Sequence, residues 1–234
     1  MKKILKYLFM LIVLVLGVFL IYTFTTKDQD TDAVRFKEEY EKYNGTKTKS
    51  DKVYPQVSIG KKNPVIYADY KKLFEVLEKG TGVIYFGFPQ CPWCRNAVPI
   101  LLDSVSDYDL SIYYMNMLDK RDTLELDENN NVVTVKEATY DYKKLLSILD
   151  NYLMDYTLED KDGNEIYTGE KRVYVPIVIF VKNGEIIVDH TDTVESQTDP
   201  YIILTSEQKQ ELKSIYTSYI DQIFVCDMTE EKGC

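Results

Sequence analysis

The first apolar stretch has no period. Residues 7–24, YLFMLIVLVLGVFLIYTF, run for 18 residues without a charge. As a helix this is about 27 Å long, close to the roughly 30 Å hydrocarbon core of a bilayer. Beyond it the apolar positions fall into helix and strand rhythms. Residues 25–56 read as a stalk or linker, with a short charged helix over 32–43 ending at Asn44-Gly45 and a Lys/Thr/Ser run after it. Residues 57–59 are the first strand candidate. Tyr70, Leu73, Phe74 and Leu77 recur as i, i+3, i+4, i+7, which predicts an amphipathic helix closed by Gly80. Residues 82–88 (GVIYFGF) are a continuous apolar run of strand length, as a strand buried on both faces requires.

The pattern then predicts a helix over 92–106, a second buried strand over 110–117, a polar loop at 129–131 and a helix over 139–154. Asp162-Gly163-Asn164 is a turn able to join a small hairpin. Residues 173–182 and 185–189 flank Asn183-Gly184, the dipeptide that supplies the positive φ values of a type I′ turn. A last helix spans 206–224 with Leu212, Ile215, Tyr216, Tyr219 and Ile223 on one face and Ser206 as the expected cap. No internal repeat is visible. Strands alternating with helices and ending in a hairpin predict an α/β domain with a mixed sheet.

Charge divides the chain. The net formal charge is −10, but residues 1–24 hold Lys2, Lys3, Lys6 and no acid, which leaves 25 basic against 38 acidic residues, −13, for the rest. An acidic domain excludes a nucleic-acid binder, which needs basic groups to replace phosphate counterions. The basic flank before the apolar run orients residues 1–6 to the cytoplasm and residues 25–234 outside. Small residues suited to a signal cleavage site are missing from the run, so a single-pass signal-anchor in the cell membrane is expected over a cleaved secretory signal. All four cysteines lie outside the anchor, in a compartment where disulfides persist.

Two of them form Cys91-Pro92-Trp93-Cys94. A buried strand ends, the chain turns at Pro89, and a helix starts with Cys91 near its cap and Pro92 at the first helical position, where a missing N–H costs nothing. Unpaired backbone N–H groups and the positive end of the helix dipole then favour thiolate over thiol at Cys91, making it the better nucleophile. Cys94 sits on the same turn, deeper in the helix. Cys91 would attack a partner's sulfur and Cys94 would resolve the mixed disulfide. A zinc half-site is disfavoured, because Cys226 and Cys234 are eight apart and His190 is the sole histidine. Those two cysteines would close a nine-residue loop worth ~2.5 kcal/mol as a structural disulfide, or exchange with the first pair. His190 reads as a surface strand residue. The acidic runs 119–128 and 155–162 read as solvated faces, and neither has the ligand order of a calcium loop.

The strand-then-dithiol GVIYFGFPQCPWC, Pro99, and the segment VPIVIFVKNGE from Val175 to Glu185 together resemble the thioredoxin superfamily over residues 57–225. YFGFPQCPWCRNAVPIL is most similar to membrane-tethered thioredoxin-like proteins of Gram-positive bacteria, including bacteriocin-transport accessory proteins. The resemblance implies a thioredoxin-like fold, with a central mixed β-sheet flanked by helices. It also implies a cis proline at Pro176 facing the dithiol, with the backbone of Val175 free to pair with an extended substrate. Pro92 and Trp93 would shape the site, and Pro99 would kink its helix. Three positions depart from the family: Tyr85 where many members carry a buried acid, Gln90 where they carry Trp, and Asp192 where they carry Gly. These changes argue against fast exchange with a cytoplasmic-type reductase. Residues 118–172 are an insertion, expected to hold a helix and a hairpin, and 226–234 a Cys-closed tail.

The implied function is thiol-disulfide exchange on secreted or envelope proteins, with no metal and no cofactor beyond the Cys91/Cys94 pair, recycled by a membrane or extracytoplasmic redox partner. The direction of exchange depends on reduction potential and on that partner, not on the motif. The alternative is a non-catalytic interaction module or an accessory to peptide export.

Overall fold

In a computed structural model of the chain, the described residues are 31–224. The anchor over 7–24 and the Cys226/Cys234 tail lie outside them. Five of the strands form one sheet: β1 (Val65–Tyr67), β3 (Ile112–Asn116), β2 (Gly82–Gly87), β8 (Ile177–Lys182) and β9 (Glu185–Thr191), in that spatial order. β1 and β2 both pair parallel to β3, whereas β8 is antiparallel to β2 and β9 to β8. The sheet is therefore mixed, and every residue of β2 is buried.

Alternation along β2 builds two apolar layers. Val83 and Tyr85 face one side, where α1 (Asp32–Glu41), α3 (Pro92–Val105) and α5 (Ser206–Phe224) supply Phe36, Leu101 and Tyr216. Ile84 and Phe86 face the other, against Leu73 of α2 (Tyr70–Lys79) and Leu145 of α4 (Tyr140–Ile148). Covering helices on both faces explain why the central strands read as unbroken apolar runs. The β8–β9 connection has Asn183 at φ 51° and Gly184 at φ 85°, the expected type I′ turn. A Cβ on Gly184 would run into the backbone carbonyl of Glu78 at the end of α2.

The stalk expectation is corrected between residues 31 and 56. Thr31 caps α1 by accepting the Val34 N–H at 3.3 Å, and Phe36 and Tyr40, one helical turn apart, are buried in the first core layer. Nor do residues 57–59 form a strand. Val57 and Ile59 are buried, but their amides bond to side chains, Val57 N–H to Asn44 at 3.0 Å and Ile59 N–H to Glu41 at 2.7 Å. The first strand is instead β1. A charged surface helix and an apolar pair without period carry little sequence signal, and packing decided both.

The insertion also holds more than one helix and one hairpin. The polar loop at 129–131 is the turn of a hairpin, β4 (Thr123–Leu126) with β5 (Val132–Lys136). The predicted helix over 139–154 stops at Ile148, with Tyr142, Leu145 and Leu149 buried; a 3₁₀ turn, Asp150–Tyr152, follows. Met154 then opens the second hairpin, β6 (Met154–Glu159) with β7 (Glu165–Arg172). The two hairpin turns repeat one device. Asp127 accepts the Asn129 and Asn131 N–H groups at 2.8 and 2.9 Å. Asp160 accepts those of Asp162 and Asn164 at 2.9 and 2.8 Å. Asn130 Nδ2 reaches Asp160 across the tips at 3.3 Å, so a local repeat absent from the apolar pattern exists at the level of turns. At the last helix the cap is Thr205, not Ser206: its hydroxyl accepts the Gln208 N–H at 3.2 Å and Gln208 Oε1 accepts the Thr205 N–H at 3.0 Å.

Candidate active site

The dithiol sits where β2 gives way to α3. Cys91 is the N-cap of α3, with extended φ −76° and ψ 117°, and Pro92 follows at the first helical position. The Cys91 sulfur accepts the Cys94 N–H at 3.2 Å, which satisfies one of the helix's free amides with a sulfur rather than an oxygen. Its thiol points at the Val175 carbonyl, 3.6 Å away. The Val175–Pro176 peptide bond is cis and Pro176 is buried, so β8 begins directly opposite α3. Trp93 and Val175 are half-buried and pack on the first core layer, flanking the pair. Five residues into the helix from Cys94, Pro99 interrupts its hydrogen-bond ladder.

Cys91 is 5% exposed and Cys94 fully buried, both as thiols. Burial, and then the neighbouring Cys91 sulfur, push the Cys94 thiol well above its ordinary range; the Phe88 backbone and the Tyr85 hydroxyl act the other way. Beneath Cys94 lies a buried aromatic cluster of Tyr40, Tyr85 and Tyr114. The Tyr40 and Tyr85 hydroxyls are 2.8 Å apart, and the Tyr85 and Tyr114 rings stack at 5.4 Å. Burial raises the phenols of all three.

Two arginines complete the surroundings, and neither was singled out by sequence. Arg95, 1% exposed, donates to four oxygens: Pro55 O at 2.6 Å, Tyr40 O at 2.7 Å, Pro89 O at 3.1 Å and Asn44 Oδ1 at 2.6 Å. It ties α1 and residues 44–57 to the turn that carries the dithiol. Arg121, at the start of the insertion, lies 5.7 Å over the Phe88 ring and donates to Val173 O at 3.5 Å. Burial, reinforced by nearby Arg172, lowers its pKa, and the two cysteines act in the opposite sense. A residue following the dithiol and a residue in a charged loop carry no motif; only the fold brings them here.

The other sequence candidates fall elsewhere. His190 is corrected from a surface position: it is half-buried against the Tyr216 ring at 5.5 Å, with Nε2 2.7 Å from Thr193 O. Asp122, within an acidic run read as solvated, is 8% exposed and pairs with Arg172 at 3.7 Å. Asp192 adopts φ 65°, the left-handed conformation glycine favours, and its N–H bonds Pro176 O at 2.9 Å. Phe224, the last described residue, stacks on Tyr108 just past the end of α3 opposite Cys91. Neither a protein-family model nor a curated protein matches the chain.

Proposed function

We propose that the protein is a membrane-tethered, extracytoplasmic thiol-disulfide oxidoreductase of the thioredoxin-like class, acting on secreted or envelope proteins. The observation that carries this reading is the placement of Cys91. Its sulfur caps α3, accepts the Cys94 N–H at 3.2 Å and lies 3.6 Å from the Val175 carbonyl before the cis proline. The sulfur sits at the free backbone N–H groups of the helix N-terminus, and a substrate segment lying along Val175 would bring its own sulfur to Cys91.

In the reducing direction the Cys91 thiolate attacks one sulfur of a substrate disulfide and expels the other as a thiolate. Cys94 then attacks Cys91 in the mixed disulfide, forming Cys91–Cys94 and releasing the second substrate thiol. Two electrons pass from the protein pair to the substrate pair, and the oxidising direction is the reverse. Burial of Cys94 keeps it from competing as the first nucleophile.

The test is a trap. Cys94→Ser should accumulate mixed disulfides through Cys91, seen on non-reducing gels, cleared by reductant and absent when Cys91 is also Ser. Partners that co-purify with the full-length protein while no adduct forms would instead establish a non-catalytic interaction module.

A further inference from the structure

The insertion holds a cavity of about 390 Å³, lined by residues between 122 and 171. Leu124 of β4 and Tyr142 and Leu146 of α4 give it apolar walls, the first two of them buried. β7 supplies another side. Its ladder with β6 breaks register here: residues 168–170 face Tyr156 alone, with Gly169 at φ 85°. A bulge of this kind bends a strand and re-aims its side chains.

The charges around the cavity do not balance. Four carboxylates line it, from Asp122, Glu137, Asp150 and Glu170, against the ammonium groups of Lys143 and Lys171. Both lysines are already paired, Lys143 with Glu137 at 2.8 Å and Lys171 with Asp150 at 3.3 Å. Asp122 and Glu170 are left without an ammonium. Glu170 is exposed to water, but Asp122 is 8% exposed and its Oδ2 meets no hydrogen-bond donor. Arg172, which does not line the cavity, comes only within 3.7 Å of the other oxygen. It uses Nη2 on the Asp122 backbone carbonyl at 3.2 Å and lies 4.0 Å over the Tyr156 ring. A buried carboxylate with an unmet oxygen is costly unless a donor arrives. Apolar walls beside such a carboxylate suit one kind of ligand, a cation on an aliphatic stem.

The cavity is tied to the dithiol through the chain. Lys171 is four residues from Val175, at most about 14 Å for an extended backbone. The Val175 carbonyl is in turn 3.6 Å from the Cys91 sulfur. Val173, between them, is fastened to the insertion at both of its backbone groups. Its N–H donates to the Tyr142 hydroxyl at 3.4 Å, and its carbonyl accepts from Arg121 at 3.5 Å.

We propose that this cavity is a specificity site for substrate polypeptides, receiving a lysine side chain about four residues from the substrate cysteine. The lysine stem packs on Leu124, Tyr142 and Leu146, and its ammonium supplies the hydrogen bond that Asp122 lacks. The inference rests on the oxidoreductase reading and deepens it by naming the substrate class, polypeptides with a basic side chain near the reacting sulfur.

The experiment uses the full-length reduced protein with Cys226 and Cys234 changed to Ala. Peptides of Gly and Ser carry a central cysteine as its mixed disulfide with thionitrobenzoate, and a lysine, norleucine or glutamate about four residues to one side or the other. Stopped-flow absorbance reads the thionitrobenzoate released as Cys91 attacks the peptide sulfur, with 5,5′-dithiobis(2-nitrobenzoate) as a disulfide without a peptide. On one side of the cysteine, the lysine peptide should react about tenfold faster than the norleucine peptide, the gain of one hydrogen bond between charged groups. The glutamate peptide should react no faster than norleucine. Asp122→Asn removes the charge, and Ser147→Tyr, at an exposed lining position of α4, obstructs the cavity while leaving every charge in place. Each should bring the ratio of lysine to norleucine rates to about one. If Asp122→Asn does not fold, Ser147→Tyr carries the test. A lysine preference kept by either folded variant belongs to the acidic domain as a whole and overturns the inference. Peptides that react at equal rates, or not at all, while the small disulfide reacts also overturn the inference alone. A protein that reacts with neither the peptides nor the small disulfide overturns the oxidoreductase reading and the inference with it.

Discussion

Replacing Arg95 with Met should detach the N-terminal segment from the active-site turn. The guanidinium is buried and makes four hydrogen bonds of 2.6 to 3.1 Å, three to backbone carbonyls of Tyr40, Pro55 and Pro89 and one to Asn44. No carboxylate pairs with it among the described residues, so its charge is met by dipoles and by the Tyr54 ring, 5.8 Å away. Met fills much of the same volume and supplies no donor. At about 1 kcal/mol for each acceptor left unpaired, the gross loss is about 4 kcal/mol. Relief of the burial that already disfavours the cation, visible as a lowered Arg95 pKa, offsets part of this. The net expectation is about 3 kcal/mol, a large share of the roughly 5–15 kcal/mol that stabilises most domains.

Urea unfolding followed by tryptophan fluorescence would give the difference from the midpoint and slope. Hydrogen exchange should localise it, with amides of α1 and of residues 44–59 losing protection before those of β2 and β8. Arg95→Lys should fall between, since a single ammonium cannot span four acceptors. A Met variant within about 1 kcal/mol of the parent, with α1 still protected, would refute the reasoning. It would mean that desolvation cancels the four bonds and that apolar packing of Phe36 and Tyr40 alone holds α1.

Two further outcomes follow from burial and backbone geometry. Cys94 is an acid whose folded pKa is raised, so the folded state keeps its proton longer than the unfolded state, and stability should fall as pH rises above about 8.5, by roughly 1.4 kcal/mol per pH unit. Urea midpoints of the reduced protein between pH 7 and 9.5 should show this slope and Cys94→Ala should lack it; equal slopes would contradict the burial argument. Gly184→Ala places a side chain at φ 85° and against the Glu78 carbonyl. A loss of at least about 2 kcal/mol is expected in the same assay, and a neutral result would show that the β8–β9 turn moves away from α2 freely.

The sequence by itself determined the elements whose signals are local. The unbroken apolar run of β2, the i, i+3, i+4, i+7 spacing of α2 and the Asn183-Gly184 turn each encode their conformation in a handful of adjacent residues. The Cys91 cap belongs with them, since Pro92 and the strand before it fix where α3 begins. The tertiary structure decided what depends on distant partners. α1 is part of the domain because Tyr40 finds Tyr85, 45 positions away, and Arg95 finds the carbonyls of Tyr40 and Pro55. The β4–β5 hairpin buries only Leu124 and gives its strands little core to define them; its turn is defined by Asp127 and its neighbours instead. The environment of the dithiol belongs to the same class. Which side chains surround Cys94 is a matter of which faces the sheet and helices bring together, and a linear pattern does not record faces that meet across 45 residues of chain.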